Sequence, residues 1–129
     1  MREKFCEMDI YGFWNAILAQ KAEEIPPYFM KDAVINWHCS NERFTVEEFV
    51  RANCDYPGDW AGEVERICEI PEGLVTVTRV FPKDQSASFH VTSFLTLLDD
   101  KIKQMDEYWA DDGSAPQWRQ EMCIGTKIK

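Results

Sequence analysis

Arg79, His90 and Glu107 are the residues of this chain whose types and spacing could move a proton. Histidine titrates near neutrality, a carboxyl gives or takes a proton when its surroundings shift it, and arginine steadies negative charge developing beside them. Their spacing matters because residues 88–98 and 101–109 read as strands separated by Asp99 and Asp100, two residues that suit a tight hairpin turn. Counting an antiparallel ladder back from that turn puts Leu98 opposite Lys101, Phe94 opposite Met105, Thr92 opposite Glu107 and His90 opposite Trp109. A second turn, centred on Asp84 and Gln85, sets Arg79 opposite His90 and Val77 opposite Thr92. The expectation is one patch in which Arg79, His90 and Glu107 converge among Thr92, Phe94, Met105 and Trp109. A slip of one residue would scatter them to opposite sheet faces, so the site stands on turn length.

The elements that must position this patch are legible along the chain. In residues 5–20, Ile10, Phe13, Trp14, Ile17 and Leu18 recur at helical spacing and form one apolar stripe. Residues 33–39 read as a short strand with Ile35, Trp37 and Cys39 on one side and Val34, Asn36 and His38 on the other. After a polar turn at 40–43, Thr45 and Glu48 form a capping box, and Phe44 and Phe49 hold the positions of a hydrophobic staple, so a helix starts at Thr45. Asn53 is a polar residue on that helix's apolar stripe. Strands are then expected at about 62–70, 74–81, 88–98 and 101–109, followed by a loop over 110–119. Helices followed by an antiparallel meander indicate an α+β domain, a curved sheet wrapped around N-terminal helices.

Composition narrows the function. A chain of 129 residues is expected to be one domain, and 45% apolar residues with 13% aromatics, five Trp among them, can build a core and line a cavity. A formal charge of −9 argues against nucleic acid and against an anionic membrane surface. No apolar run approaches the roughly 20 residues of a spanning helix, and the N-terminus lacks an apolar signal core, so the expected location is cytoplasmic. Cys6, Cys39, Cys54, Cys68 and Cys123 are odd in number and contain no Cys-x-x-Cys pair, which suits reduced thiols. Two histidines and scattered carboxylates make no metal site, and no cofactor is expected.

The whole chain resembles the nuclear transport factor 2-like superfamily in its SnoaL-like and ketosteroid-isomerase-like bacterial branch. The resemblance is carried by WHCSNERFTVEEF (37–49), YPGDW (56–60), SFHVTSF (88–94) and DEYWADDG (106–113), and it spans about residues 13–119. It implies a cystatin-like cone with a deep apolar pocket. In epoxide-hydrolase relatives, a carboxylate on the last strand works with an arginine on a central strand and a second carboxylate two residues beyond. Glu107 and Arg79 resemble the first two, but Phe81 stands in the third position, so that relay is broken. Isomerase relatives need an Asp base with a Tyr/Asp oxyanion pair, and Tyr28, Tyr56 and Asp106 fall in no matching motif. Cyclase relatives need a pocket acid or base, a place His90 and Glu107 can fill.

The resulting expectation is a small-molecule pocket protein of the SnoaL-like type, an isomerase- or cyclase-like enzyme doing acid–base chemistry on an apolar or aromatic substrate. The alternative is a non-catalytic binding or dimerisation module of the same fold. Glu107, His90 and Arg79 are the expected catalytic groups, and Trp14, Trp37, Asn53, Trp60, Thr92, Phe94, Met105 and Trp109 the expected ligand contacts. A homodimer is also expected, through an outer sheet face carrying Thr78, Val80, Phe89, Val91, Ser93, Leu95, Leu97, Ile102, Gln104 and Tyr108, a face too apolar for water.

Overall fold

Two short helices start where their caps require. In the computed structural model, which describes residues 8–129, the Asp9 side chain accepts the Gly12 N–H at 3.0 Å and begins helix α1 (Ile10–Leu18). Ile10, Phe13, Trp14, Ala16 and Ile17 form its buried stripe. The start of the expected helix at 5, and Cys6, lie outside the described residues. Thr45 caps helix α2 (Val46–Cys54): its Oγ1 accepts the Glu48 N–H at 3.2 Å, while Glu48 Oε1 accepts the Thr45 N–H at 2.9 Å. Both halves of the expected capping box are therefore formed, and Phe49 is buried one turn later. A last short helix, α3 (Gln117–Glu121), interrupts the segment expected to be loop throughout.

Six strands make one curved sheet: β1 (Phe29–Trp37), β2 (Glu42–Thr45), β3 (Trp60–Ile70), β4 (Gly73–Pro82), β5 (Phe89–Leu98) and β6 (Lys101–Asp111), in the order β2-β1-β6-β5-β4-β3. The last four form the expected antiparallel meander. β1 lies parallel to β6, with Ile35 beside Met105 and Trp37 beside Glu107, so the sheet is mixed. The architecture is α+β, as the element order implied. The core fills the concave side: Phe13, Trp14 and Ile17 of α1 and Phe49 of α2 pack over Phe29, Ile35, Leu74, Val80, Val91, Leu95, Ile102 and Met105. Edge-to-face ring pairs run through it, Phe13 with Phe29 at 5.7 Å and Phe29 with Phe49 at 5.8 Å. No helix among the described residues is long and apolar enough to cross a membrane.

Both turns fall where the sequence puts them, yet one of the two registers does not follow. Asp99 and Asp100 take left-handed φ angles of 52° and 62°, the conformation of a two-residue hairpin turn, and Leu98 pairs with Lys101. Across β4 and β5, Arg79 pairs with His90 and Val77 with Thr92, as expected. Between β5 and β6, Leu97 pairs with Ile102 but Thr96 with Gln104, leaving Lys103 without a partner. This β-bulge shifts every later pair by one residue. Glu107 pairs with Ser93 instead of Thr92, Met105 with Leu95 instead of Phe94, and Trp109 with Val91 instead of His90.

The shift inverts β5 relative to the expected site. Val91, Ser93, Leu95, Ile102, Met105 and Glu107 are buried on the concave side, together with Thr76, Thr78 and Val80 of β4. His90, Thr92 and Phe94, with Arg79, take the convex side, which Gln104 and Tyr108 share as expected. The outer face is thus much more polar than the sequence suggested, because most of the apolar residues assigned to it lie in the chain's own core.

Candidate functional site

Glu107 sits at the bottom of the concave side with 2% of its surface exposed. It is there because Trp37 of β1 and Ser93 of β5 flank it across β6. The Trp37 indole N–H donates to Oε1 at 3.1 Å, and Ser93 Oγ lies 2.5 Å from Oε2. Among the described residues no arginine, lysine or histidine is one of its partners. Burial pushes its pKa above the ordinary 4.5, and this outweighs the Ser93 and Trp37 hydrogen bonds that favour the anion. The indole N–H of Trp109 also leans toward the carboxylate, but its geometry falls short of a hydrogen bond. Glu107 is therefore a carboxyl group that holds its proton to higher pH than a free one.

Above it lies an aromatic chamber. A cavity of about 420 Å³ is lined by Trp14, Ile17 and Leu18 of α1, Ala52 and Asn53 of α2, Trp37 of β1, Val80, Phe89 and Trp109 of the sheet, Tyr56 from the turn before β3 and Trp60, the first residue of β3. Gln20, Cys39, Ser40, Glu42 and Asp111 add polar groups. Between this chamber and Glu107 is a recess of about 10 Å³, walled by Phe13, Trp14, Trp37, Asn53, Met105 and Trp109, with room for at most one water. The walls are braced by ring contacts: Tyr56 with Trp60 at 5.5 Å, Trp60 with Phe89 at 6.0 Å and Trp37 with Trp109 at 6.5 Å. The turn holds Trp60 in place through its indole N–H, which donates to the Pro57 carbonyl at 3.1 Å. Asn53 is tied to the helix before it, its amide donating to the Ile17 carbonyl at 2.9 Å. One donor on these walls, the buried indole N–H of Trp14, has no partner among the described residues, whereas that of Trp109 is turned toward Glu107. An unpaired buried N–H costs about 1–3 kcal/mol, so the Trp14 N–H marks a place where a ligand or water oxygen belongs.

The other two expected catalytic residues are on the far side of the sheet. His90 is clamped between two carboxylates, Nδ1 lying 2.6 Å from Asp112 Oδ1 and Nε2 2.9 Å from Glu65 Oε1. The hydrogen bond to Asp112 is the main cause that raises the His90 pKa above 6.5, against an opposing effect of burial. Burial of Asp112 is in turn outweighed by hydrogen bonds from Ser88 and His90, which lower its pKa. Arg79 Nε donates to Ser88 Oγ at 3.1 Å and Ser88 Oγ to Asp112 Oδ2 at 2.6 Å, so the arginine serves the same network. Its guanidinium lies 4.4 Å over the ring of Phe81, the residue that breaks the epoxide-hydrolase relay.

Of the expected ligand contacts, Trp14, Trp37, Asn53, Trp60 and Trp109 line the chamber, and Met105 lines the recess below it beside Glu107, an expected catalytic group. Thr92 and Phe94 do not; Phe94 is 41% exposed on the convex face. The expected convergence of Arg79, His90 and Glu107 is not formed, because the bulge at Lys103 puts Glu107 on one face and the other two on the opposite one. Sequence reasoning missed Ser93, the partner of Glu107. It is a small polar residue on the odd-numbered face of β5, otherwise Phe89, Val91, Leu95 and Leu97, and a lone hydroxyl on such a face is the signal of a buried polar partner.

No family model and no curated protein matches the sequence. Solved structures do match the fold. A candidate ketosteroid isomerase from Kribbella flavida superposes with a TM-score of 0.75 at 18% identity, covering 92% of this chain and 87% of that one. An NTF2-like protein of unknown function from Burkholderia xenovorans gives 0.73 at 19% identity and 92% of both chains. A hypothetical protein of ketosteroid-isomerase-like fold from Catenulispora acidiphila, in complex with trimethylamine, gives 0.66 at 10% identity, with 79% and 86% covered.

Proposed function

We propose that this chain, which has the nuclear transport factor 2-like fold, holds a small apolar or aromatic molecule in the chamber above Glu107 and exchanges a proton with it through that residue. The observation that carries the proposal is a buried carboxyl group with no cationic partner among the described residues, set beneath an aromatic cavity. A carboxyl in such surroundings is, once ionised, a stronger base than a free carboxylate, so it can take the proton from the carbon next to a carbonyl and then, as the neutral acid its site favours, return it. The indole N–H of Trp14, unpartnered among the described residues, suits a ligand oxygen whose negative charge grows as that proton leaves. The reaction class is proton transfer next to a carbonyl, as an isomerase or cyclase requires. The one-water recess makes the path to Glu107 either a bridging water or an edge of the ligand. His90 and Arg79 have no part in this step.

Cyclic and aryl ketones in D2O test the proposal. Binding is followed by tryptophan fluorescence and exchange of the protons next to the carbonyl by NMR. Wild type is expected to bind and to catalyse exchange, and Glu107→Gln to bind within a few-fold while losing exchange. Exchange that survives in the variant ends the role of Glu107. A second reading, a cavity that binds without turnover, draws on the fact that both Glu107 oxygens already have partners; binding with no exchange in wild type would establish it.

The expected homodimer is proposed again, with Tyr108 kept from the expected face and Phe94 in place of the residues that lie in the core. Phe94 and Tyr108, 41% and 44% exposed with ring centres 6.1 Å apart, are the aromatic centre of the convex face. Two copies are expected to meet there about a two-fold axis. Light scattering on wild type and on Tyr108→Glu is the check, and a wild-type monomer at micromolar concentration removes the proposal.

A further inference from the structure

The cavity wall has a charge of one sign. Glu42 and Asp111 are its acidic residues, and among the described residues no lysine, arginine or histidine lines it. Around them stand Trp37, Trp60, Trp109 and Tyr56, whose ring faces carry negative electrostatic potential. Both carboxylates belong to exposed residues, whereas Trp14 is 2% exposed, so the charges sit at the mouth and the unpartnered indole N–H of Trp14 at the inner end. The whole chain has a formal charge of −9, which draws cations toward the opening and repels anions from it. An uncharged occupant could pack on the rings but would leave the two carboxylates at the mouth unused. An anion would meet repulsion from both.

We infer that the ligand of this cavity is a protonated or quaternary amine with an apolar body, its ammonium group lying at the mouth among the aromatic rings beside Glu42 and Asp111. This rests on the chamber being a binding site, and it names the chemical class that site selects. The body enters first, toward Trp14 and Trp109, and the charged end stays where water and the carboxylates can reach it. The cation is held by ring faces and by through-space attraction to two acids that are partly screened by solvent. Selectivity should therefore be salt-dependent.

The test compares phenyltrimethylammonium, whose charge is permanent, with its uncharged isostere tert-butylbenzene, by fluorescence titration of the wild-type chain. The cation is expected to bind about tenfold more tightly at low ionic strength. That preference should shrink several-fold in 0.5 M salt, a condition about threefold above physiological ionic strength, and in the double variant Glu42→Gln/Asp111→Asn. Both substitutions are at exposed positions and keep side-chain shape, and the salt series on wild type needs no variant at all. Equal or tighter binding of tert-butylbenzene overturns the amine while leaving the chamber a binding site. Failure of both probes to bind overturns the inference and the binding site together. A cation preference untouched by salt and by the double variant overturns the assignment to Glu42 and Asp111.

Discussion

The two faces of the sheet at β5 and β6 hold ionisable groups a few residues apart and treat them in opposite ways. On the concave side Glu107 is buried and has no counter-charge among the described residues, so its acid form is favoured. On the convex side His90 keeps contact with solvent and lies between Asp112 and Glu65, so its charged form is favoured. Both pKa values rise, for unlike reasons: one group is deprived of stabilisation for its anion, the other is given stabilisation for its cation. The concave arrangement suits the proton transfer proposed for Glu107. The convex one is a clamp joining β3, β5 and the end of β6, and its pairing makes it a poor proton shuttle. A perturbed pKa alone would not separate the two; the sign of the neighbours does.

The sharpest way to break this comparison is to change register. Deleting Thr92 from β5, where no bulge can absorb the loss, should exchange the faces of the residues beyond it and leave no cooperatively folded protein. Deleting Lys103 removes the one unpaired residue and leaves the pairs on both sides intact, so a folded chain with Glu107 still inward is expected. Near-ultraviolet circular dichroism of the tryptophans distinguishes these outcomes, and equal behaviour of the two deletions would contradict the bulge.

Adjacent substitutions give the next largest contrast. Leu95 is 1% exposed and Phe94 is 41% exposed on the same strand. Leu95→Ala should cost about 2–5 kcal/mol and Phe94→Ala under about 1 kcal/mol in urea unfolding of the monomer. A larger cost at Phe94 would put the faces the other way round.

The pH dependence of stability sharpens the comparison further. Glu107 has a raised folded pKa, so wild type loses stability as pH climbs from 4.5 through that value, when the buried group must either hold its proton or ionise without a cation. Glu107→Gln should lack this decline and gain on wild type from pH 5 upward; a constant difference would mean Glu107 titrates normally. His90, also raised, contributes stability that is complete below 6.5 and fades as pH rises through its folded value. The advantage of wild type over His90→Gln is thus expected at pH 6 and not at pH 9. With His90 and Asp112 side chains about one-third exposed, it should not exceed about 1 kcal/mol. Asp112 has a lowered pKa, so its share is present above 3.8 and is lost as pH falls through the lower folded value.

Local chemistry in the sequence determined much of this protein. The Thr45–Glu48 box, the Asp99–Asp100 turn and the apolar stripe of α1 depend on groups a few residues apart, so each could be read without knowing the rest of the chain. Four expected wall residues, Trp14, Trp37, Trp60 and Trp109, line the chamber for a related reason: aromatic bulk on core-facing stripes has nowhere else to go; the fifth, Asn53, lies on the same stripe of α2 as Phe49. The face of the proton-handling group was decided by tertiary structure. The spacing of Ile102 and Met105, three residues apart where a regular strand needs two, carried a trace of the bulge, as did Val64 and Ile67 across the matching irregularity in β3. Such a trace cannot say which residue is extruded, because that depends on how β6 packs at once against β5 and, in parallel, against β1. The partner of Glu107 is a hydroxyl from one neighbouring strand and an indole from the other, groups 14 and 70 residues away in the chain. Period-two alternation is a property of one strand; burial of a carboxyl is a property of three strands and the helix laid over them.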